Sequence, residues 1–212
     1  MDRLTLGHAP RFSKLVFAFC MSVAVTLIAP HAHADLLLEP YIGYGIGNLK
    51  ADYNGGGSLK YTVNGVNIGG RVAIALPIVY FGLDGQYGTG SAGLSSDSAG
   101  AFHSTNFTRT ALFAFVGAHI PMLRAWAGYG FLNNLKLASA STSPETTFKG
   151  SAIKLGAAFT GLPVVDLNLE YIMSTYNKTT VAGSTVDVGS SGLFSTATDS
   201  TILLSVSAPF DF

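Results

Sequence analysis

The chain has 212 residues, 48% of them hydrophobic, and its charged fraction of 11% is less than half the roughly 25% of an ordinary soluble domain. Basic and acidic residues balance, so there is no positive excess to hold nucleic acid. A mean hydropathy of +0.39 points to a membrane. Beyond the N-terminus, however, Gly, Ser, Thr or Asn interrupts every apolar stretch before it reaches the roughly 18 residues of a spanning helix. The remaining way to satisfy every backbone polar group in lipid is a closed barrel.

In chain order, residues 1–34 are expected to be a cleaved signal peptide. Arg3, Arg11 and Lys14 form a basic start, 15–29 an apolar run, and Ala32-His33-Ala34 an A-x-A cleavage site with the cut after Ala34. Cys20 follows Phe19, where a lipoprotein signal would need a small residue, so lipidation is not expected. What remains, 35–212, is a single barrel domain with no cysteine and hence no disulfide question. It holds 9 Lys plus Arg against 11 Asp plus Glu, a net charge of −2.

Eight strands are expected, at 36–50, 59–76, 78–89, 106–120, 122–137, 148–161, 164–176 and 200–212, an even number as bacterial barrels require. Each alternates with period two. Leu38, Ile42, Tyr44 and Ile46 oppose Glu39, Tyr41 and the glycines 43, 45 and 47. Val66, Ile68, Val72 and Ile74 oppose Asn67 and Arg71; Phe81, Leu83 and Tyr87 oppose Asp84 and Gln86. In 106–120 both faces are apolar and the facing stays open. Leu167, Leu169, Tyr171 and Met173 oppose Asp166, Asn168, Glu170 and Ser174, and at the end Ile202, Leu204, Val206, Ala208, Phe210 and Phe212 oppose Thr201, Ser205, Ser207 and Asp211. Such alternation puts one face on lipid and the other on a polar lumen. A soluble β-barrel would also alternate, but these charges are too few to coat its exterior.

Three similar stretches, LPIVYFGLDG, IPMLRAWAGYG and LPVVDLNLEY, place prolines 77, 121 and 163 at spacings of 44 and 42 residues, the period of a strand hairpin. Those proline turns are short. The alternate connections, 51–58, 90–105, 138–147 and 177–199, are longer and rich in Gly, Ser, Thr and Asn. Short turns face the periplasm and long loops the outside, so both termini are expected on the periplasmic side.

The expected lumen face collects Glu39, Asp84, Asp166 and Glu170 on up-running strands and Arg71, Arg109 and Lys154 on down-running ones. Small barrels are filled by side chains, and buried charges need partners. The expectation is a salt-bridge core, with Arg71 paired to Asp84 and Glu39, and Lys154 to Glu170. The alternative is a charged ion path. Trp126, Phe113 and Phe115 either fill the lumen or face lipid. The glycines 43, 45 and 47 resemble a phosphate loop but lack the following helix; inward, they would leave room for neighbours such as Tyr41 and Arg71. His103 and His119 lack the companions of a metal site, and His103-Ser104 lacks the third, orienting group of a triad. No cofactor, metal or catalytic residue is expected. The sequons at Asn106 and Asn177 are read as chance.

With its HAHA site, alternating strands and terminal ILLSVSAPFDF, the chain resembles the small outer-membrane β-barrels of the OmpA, OmpX and OmpW type. The resemblance covers the whole of 35–212 and is architectural. It implies a monomeric, all-β meander in contact with outer-membrane lipid and lipopolysaccharide. Phe210 and Phe212 would then be the signal read by the outer-membrane assembly machinery. The expected function is a structural or surface-interaction barrel with a largely plugged lumen, the alternative a narrow channel for ions or small apolar solutes, and neither is an enzyme.

Overall fold

The computed structural model describes residues 34–140, 144–189 and 192–212. Ala32 and the rest of the expected signal peptide lie outside the described residues, and Ala34 is the first within them. From Asp35 on, ten strands follow: β1 (Asp35–Tyr53), β2 (Ser58–Ala75), β3 (Val79–Asp97), β4 (Thr105–Ile120), β5 (Leu123–Leu137), β6 (Thr146–Phe159), β7 (Asp166–Val181), β8 (Ser184–Asp187), β9 (Phe194–Ser207) and β10 (Phe210–Asp211). Every pairing is antiparallel; β1 to β8 pair in sequence order, β9 pairs with both β7 and β1, and β10 pairs with β1. β1–β7 and β9 are therefore the eight staves of a closed up-and-down barrel. Closure removes the free sheet edge, as a structure surrounded by lipid requires.

Alternation decides which side faces outward. On β1, Ile42 and Ile46 are 59% and 57% exposed, while Leu37, Glu39 and Tyr41, on the opposite parity before them, are buried. On β9, Leu204 is 63% exposed and its neighbours Leu203 and Ser205 are buried. Large aliphatic and aromatic side chains thus cover the outside and charges fill the inside, the reverse of a soluble barrel. β4 resolves the open facing: Phe107, Arg109, Phe113 and Phe115 point inward and the outward face carries Thr110, Ala114 and Val116. In β5 the parity resets. Phe131 and Leu132 are consecutive yet both exposed, because the register with β6 jumps between Gly130 and Asn133. A bulge of this kind leaves an extra residue unpaired and returns the chain to its former facing.

The strand boundaries depart from expectation at the loop end. β3 runs on to Asp97, so the expected loop 90–105 shrinks to 98–104. β7 reaches Val181 and pairs with β8 through a two-residue turn, Ala182-Gly183, both at positive φ (49° and 85°) as a type I′ hairpin demands. Much of the expected loop 177–199 is therefore strand. The expected last strand 200–212 is interrupted at Ala208-Pro209, where proline cannot donate a ladder bond. Its register nonetheless continues: Phe210 pairs with Leu38, and Phe212 exchanges two backbone hydrogen bonds with Leu36 at 2.9 and 3.0 Å. Asp211, expected on the lumen face, is exposed.

Candidate functional site

The lumen is layered. At the turn end, Tyr80, Phe115, Trp126, Leu37, Ala73 and Ala158 form one apolar cluster. At the loop end a second is built around Leu49, Leu59, Tyr61, Leu135, Phe148 and Phe194. Phe102 joins the second cluster from the loop between β3 and β4, which folds back on Asp97: that carboxylate accepts the Phe102 N–H at 2.8 Å and the Tyr53 hydroxyl at 2.7 Å. Between the two clusters lie the charges.

Arg71 of β2 is the hub. Its guanidinium lies between the rings of Tyr41 and Trp126, 4.7 and 4.4 Å from their centroids. It donates to Glu39 at 3.0 Å and to Glu170, and its Nε is 3.6 Å from Asp84. Lys154 of β6 donates to Asp84 at 2.7 Å and to Gln86 at 3.3 Å, sits 3.3 Å from Glu170, and stands over the Phe113 ring at 4.2 Å. Tyr41 donates its hydroxyl to Asp84 at 2.9 Å. Arg124 of β5 donates to Glu39 at 2.8 Å and to Asp166, and Ser207 also donates to Glu39. All of these charged residues are at most 5% exposed. Charges this deep are tolerated only when paired and hydrogen-bonded. The network holds four carboxylates (Glu39, Asp84, Asp166, Glu170) against three cations (Arg71, Arg124, Lys154), leaving one negative charge in excess.

The structure thus brings six of the seven expected lumen charges into one network. Arg109 stands apart, donating to Asp199 and Thr201, both at 2.7 Å. Sequence reasoning missed Arg124 and Asp199, which also break the expected division of acids and bases between up- and down-running strands. The signal for Arg124 was present: it lies two residues before Trp126 and shares its parity. Asp199 falls one position outside the expected start of the last strand.

Volume explains the rest. Each of the first three strand pairs carries an aromatic residue directly across from a glycine: Tyr41 opposite Gly69, Tyr80 opposite Gly117, Trp126 opposite Gly156. A Cβ on any of these glycines would overlap the facing ring. The glycines 43, 45 and 47 do not make room for Tyr41 and Arg71 as expected. An added Cβ would meet Ser205 at 43, Asn67 at 45 and Thr201 at 47. Tyr41 and Trp126 clasp Arg71, and Tyr80 lies 5.9 Å from Arg124. Ring placement and charge placement are therefore one arrangement.

A cavity of about 530 Å3 opens at the turn end, lined in part by Tyr80, His119, Arg124, Asp166 and Phe210. His103 lies in the loop between β3 and β4, and His119 near the turn end of β4. Among the described residues no group of three His, Cys, Asp or Glu is placed to hold a metal.

No protein-family model matches the chain, and no curated protein matches it. Solved structures do. The barrel is similar to Ail, the attachment invasion locus protein of Yersinia pestis, in complex with the heparin analogue sucrose octasulfate. That match has a TM-score of 0.53 at 16% identity, over 83% of this chain and 99% of that one. It also matches the outer membrane protein OprG of Pseudomonas aeruginosa (TM-score 0.48, 14% identity, 85% and 97% covered) and Neisserial surface protein A (0.46, 14%, 81% and 97%). At these identities the likeness is one of fold: the chain is a small eight-stranded β-barrel of the outer-membrane type.

Proposed function

We propose that this chain resides in the outer membrane of a Gram-negative bacterium as a plugged barrel that acts through its outward loop end and not by passing solutes. Both termini then lie on the periplasmic side, and the protein works as a monomer without catalytic chemistry. The observation that carries this reading is the continuous filling of the lumen: an apolar cluster, the Arg71 and Lys154 network and a second apolar cluster follow one another along the barrel. The fold shared with Ail, an attachment protein, agrees with a surface role. Purified protein in planar bilayers is expected to give no stable stepwise currents; such currents would overturn the plugged reading. A narrow ion path is the second reading. It is favoured by the turn-end cavity, which reaches Arg124 and Asp166 and so leaves only part of the barrel as barrier.

Phe210 and Phe212 serve, on this reading, as the signal for the outer-membrane assembly machinery. Both are strongly exposed on the outer face while their backbones are held against β1. Deleting Phe212 is expected to reduce the yield of folded protein in the outer membrane, measured by membrane fractionation and heat-modifiable gel migration. An unchanged yield would remove that role.

A further inference from the structure

The excess negative charge of the lumen can be located. Arg71 and Lys154 each contact both Asp84 and Glu170, two cations against two carboxylates. That leaves Glu39 and Asp166 to share Arg124, with one further contact from Arg71 to Glu39. The unmatched charge therefore falls at the turn end, where Arg124 and Asp166 line the cavity of about 530 Å3. There Arg124 occupies the Oδ2 of Asp166. Asp211, exposed, adds a second carboxylate to the lining. Buried charge short of a partner is costly, and a cation entering from outside would supply one.

The cavity walls set the shape of that cation. The buried members of the lining, Leu37, Tyr80, Arg124 and Asp166, make its floor. Among the described residues the Tyr80 hydroxyl has no hydrogen-bond partner, an exception to the rule that buried polar groups are paired. The rim is apolar. Met122 and Val164, in two of the turns, are 60% and 74% exposed, and the exposed Leu162 and Phe210 join them. An apolar enclosure around a few convergent polar groups is the usual make-up of a small-molecule site, and the volume lies in the usual range. A bare metal ion suits it less, because among the described residues no three His, Cys, Asp or Glu side chains are grouped to hold one.

We propose that the turn-end cavity binds a small organic amine, with its ammonium against Asp166 and the Tyr80 hydroxyl and its apolar body against Met122, Leu162 and Val164. An anionic head would have to compete for Arg124 with the two carboxylates that already hold it. On the outer-membrane reading above the cavity opens to the periplasm; the site itself does not depend on that placement.

The test uses the full barrel refolded in phosphocholine micelles and follows the amide NMR shifts of 119–124 and 160–166 as 4-phenylbutylamine, 4-phenylbutanol or 4-phenylbutanoate is added. The amine is expected to saturate with an affinity about tenfold above those of the alcohol and the carboxylate, the worth of a charged hydrogen bond. Asp166→Asn should remove that advantage and leave the alcohol unchanged. This variant keeps Glu39 matched to Arg124 and so should fold. Val164→Lys, at an exposed turn position, is the independent check: it places a competing ammonium at the rim and should weaken the amine but not the carboxylate. Should Asp166→Asn fail to fold, the Val164→Lys result decides alone. Equal binding of all three probes would make the cavity an apolar slot, and tighter binding of the carboxylate would make Arg124 its anchor; either overturns the proposal. So does the lack of any saturable shift, or an amine affinity that neither substitution changes.

Discussion

Arg71→Ala is expected to lower the unfolding stability by about 3–5 kcal/mol, the cost of stranding buried charge, and the paired change Arg71→Leu with Asp84→Leu by less than half of that. The charge count gives the reason. The network carries one excess negative charge; removing Arg71 alone raises the excess to two and leaves Glu39, Asp84 and Glu170 each short of a partner. Removing Asp84 as well restores the original balance. Glu39 keeps Arg124 and Ser207, and Glu170 keeps Lys154. Leucine also returns apolar volume to the space between the Tyr41 and Trp126 rings, though not the cation–π contact. Urea unfolding in vesicles, followed by gel mobility, measures both variants. Equal losses would mean that Arg71 acts chiefly through its ring contacts. If neither variant changes stability but both alter bilayer conductance, the charges line a hydrated pore and the plugged reading falls.

The parts legible in sequence are those where lipid imposes a rule. Between the turn end and the loop end, one face must be apolar, so Ile42 to Ile46, Val66 to Ile74 and Leu167 to Met173 announce both strand and facing. Past the headgroups that rule lapses. The stretch Ser91-Ala92-Gly93-Leu94 has loop composition, yet it is strand because its backbone pairs with β2 and, in part, β4. The β7–β8 hairpin is hidden for a similar reason: Ala182 occupies a positive-φ position where Asn or Asp would have signalled a turn. Burial of the charged residues follows from parity, but partner choice does not. Glu39–Arg71 and Arg71–Asp84 face each other across adjacent strands and could be seen in the hairpin pattern. Arg71–Glu170, Arg124–Glu39 and Arg109–Asp199 join strands that do not pair, across the barrel interior. Those contacts depend on strand tilt and stagger, which closure sets and local pattern does not encode.

The second large effect is expected at Gly156. Gly156→Val puts a branched side chain where the Trp126 indole lies, since even a bare Cβ would overlap that ring. Overpacking of this kind costs about 1–3 kcal/mol, and here the displaced ring also leaves the Arg71 guanidinium. Trp126→Leu alone should be destabilising too, by opening space beside Arg71. Together, Gly156→Val and Trp126→Leu exchange volume between two residues directly opposite in the β5–β6 ladder. Their combined loss is therefore expected to be smaller than the sum of the single losses by at least about 1 kcal/mol, within the range for residues in contact. Gly69→Val with Tyr41→Leu offers an independent comparison on β1–β2, but there the lost Tyr41 hydroxyl also removes a hydrogen bond to Asp84, so its recovery should be the poorer of the two. Double-mutant cycles by urea unfolding read both. Strict additivity at Gly156 and Trp126 would show that the ring has room to move, and the account of the lumen as a core set jointly by aromatic volume and charge would then fail there.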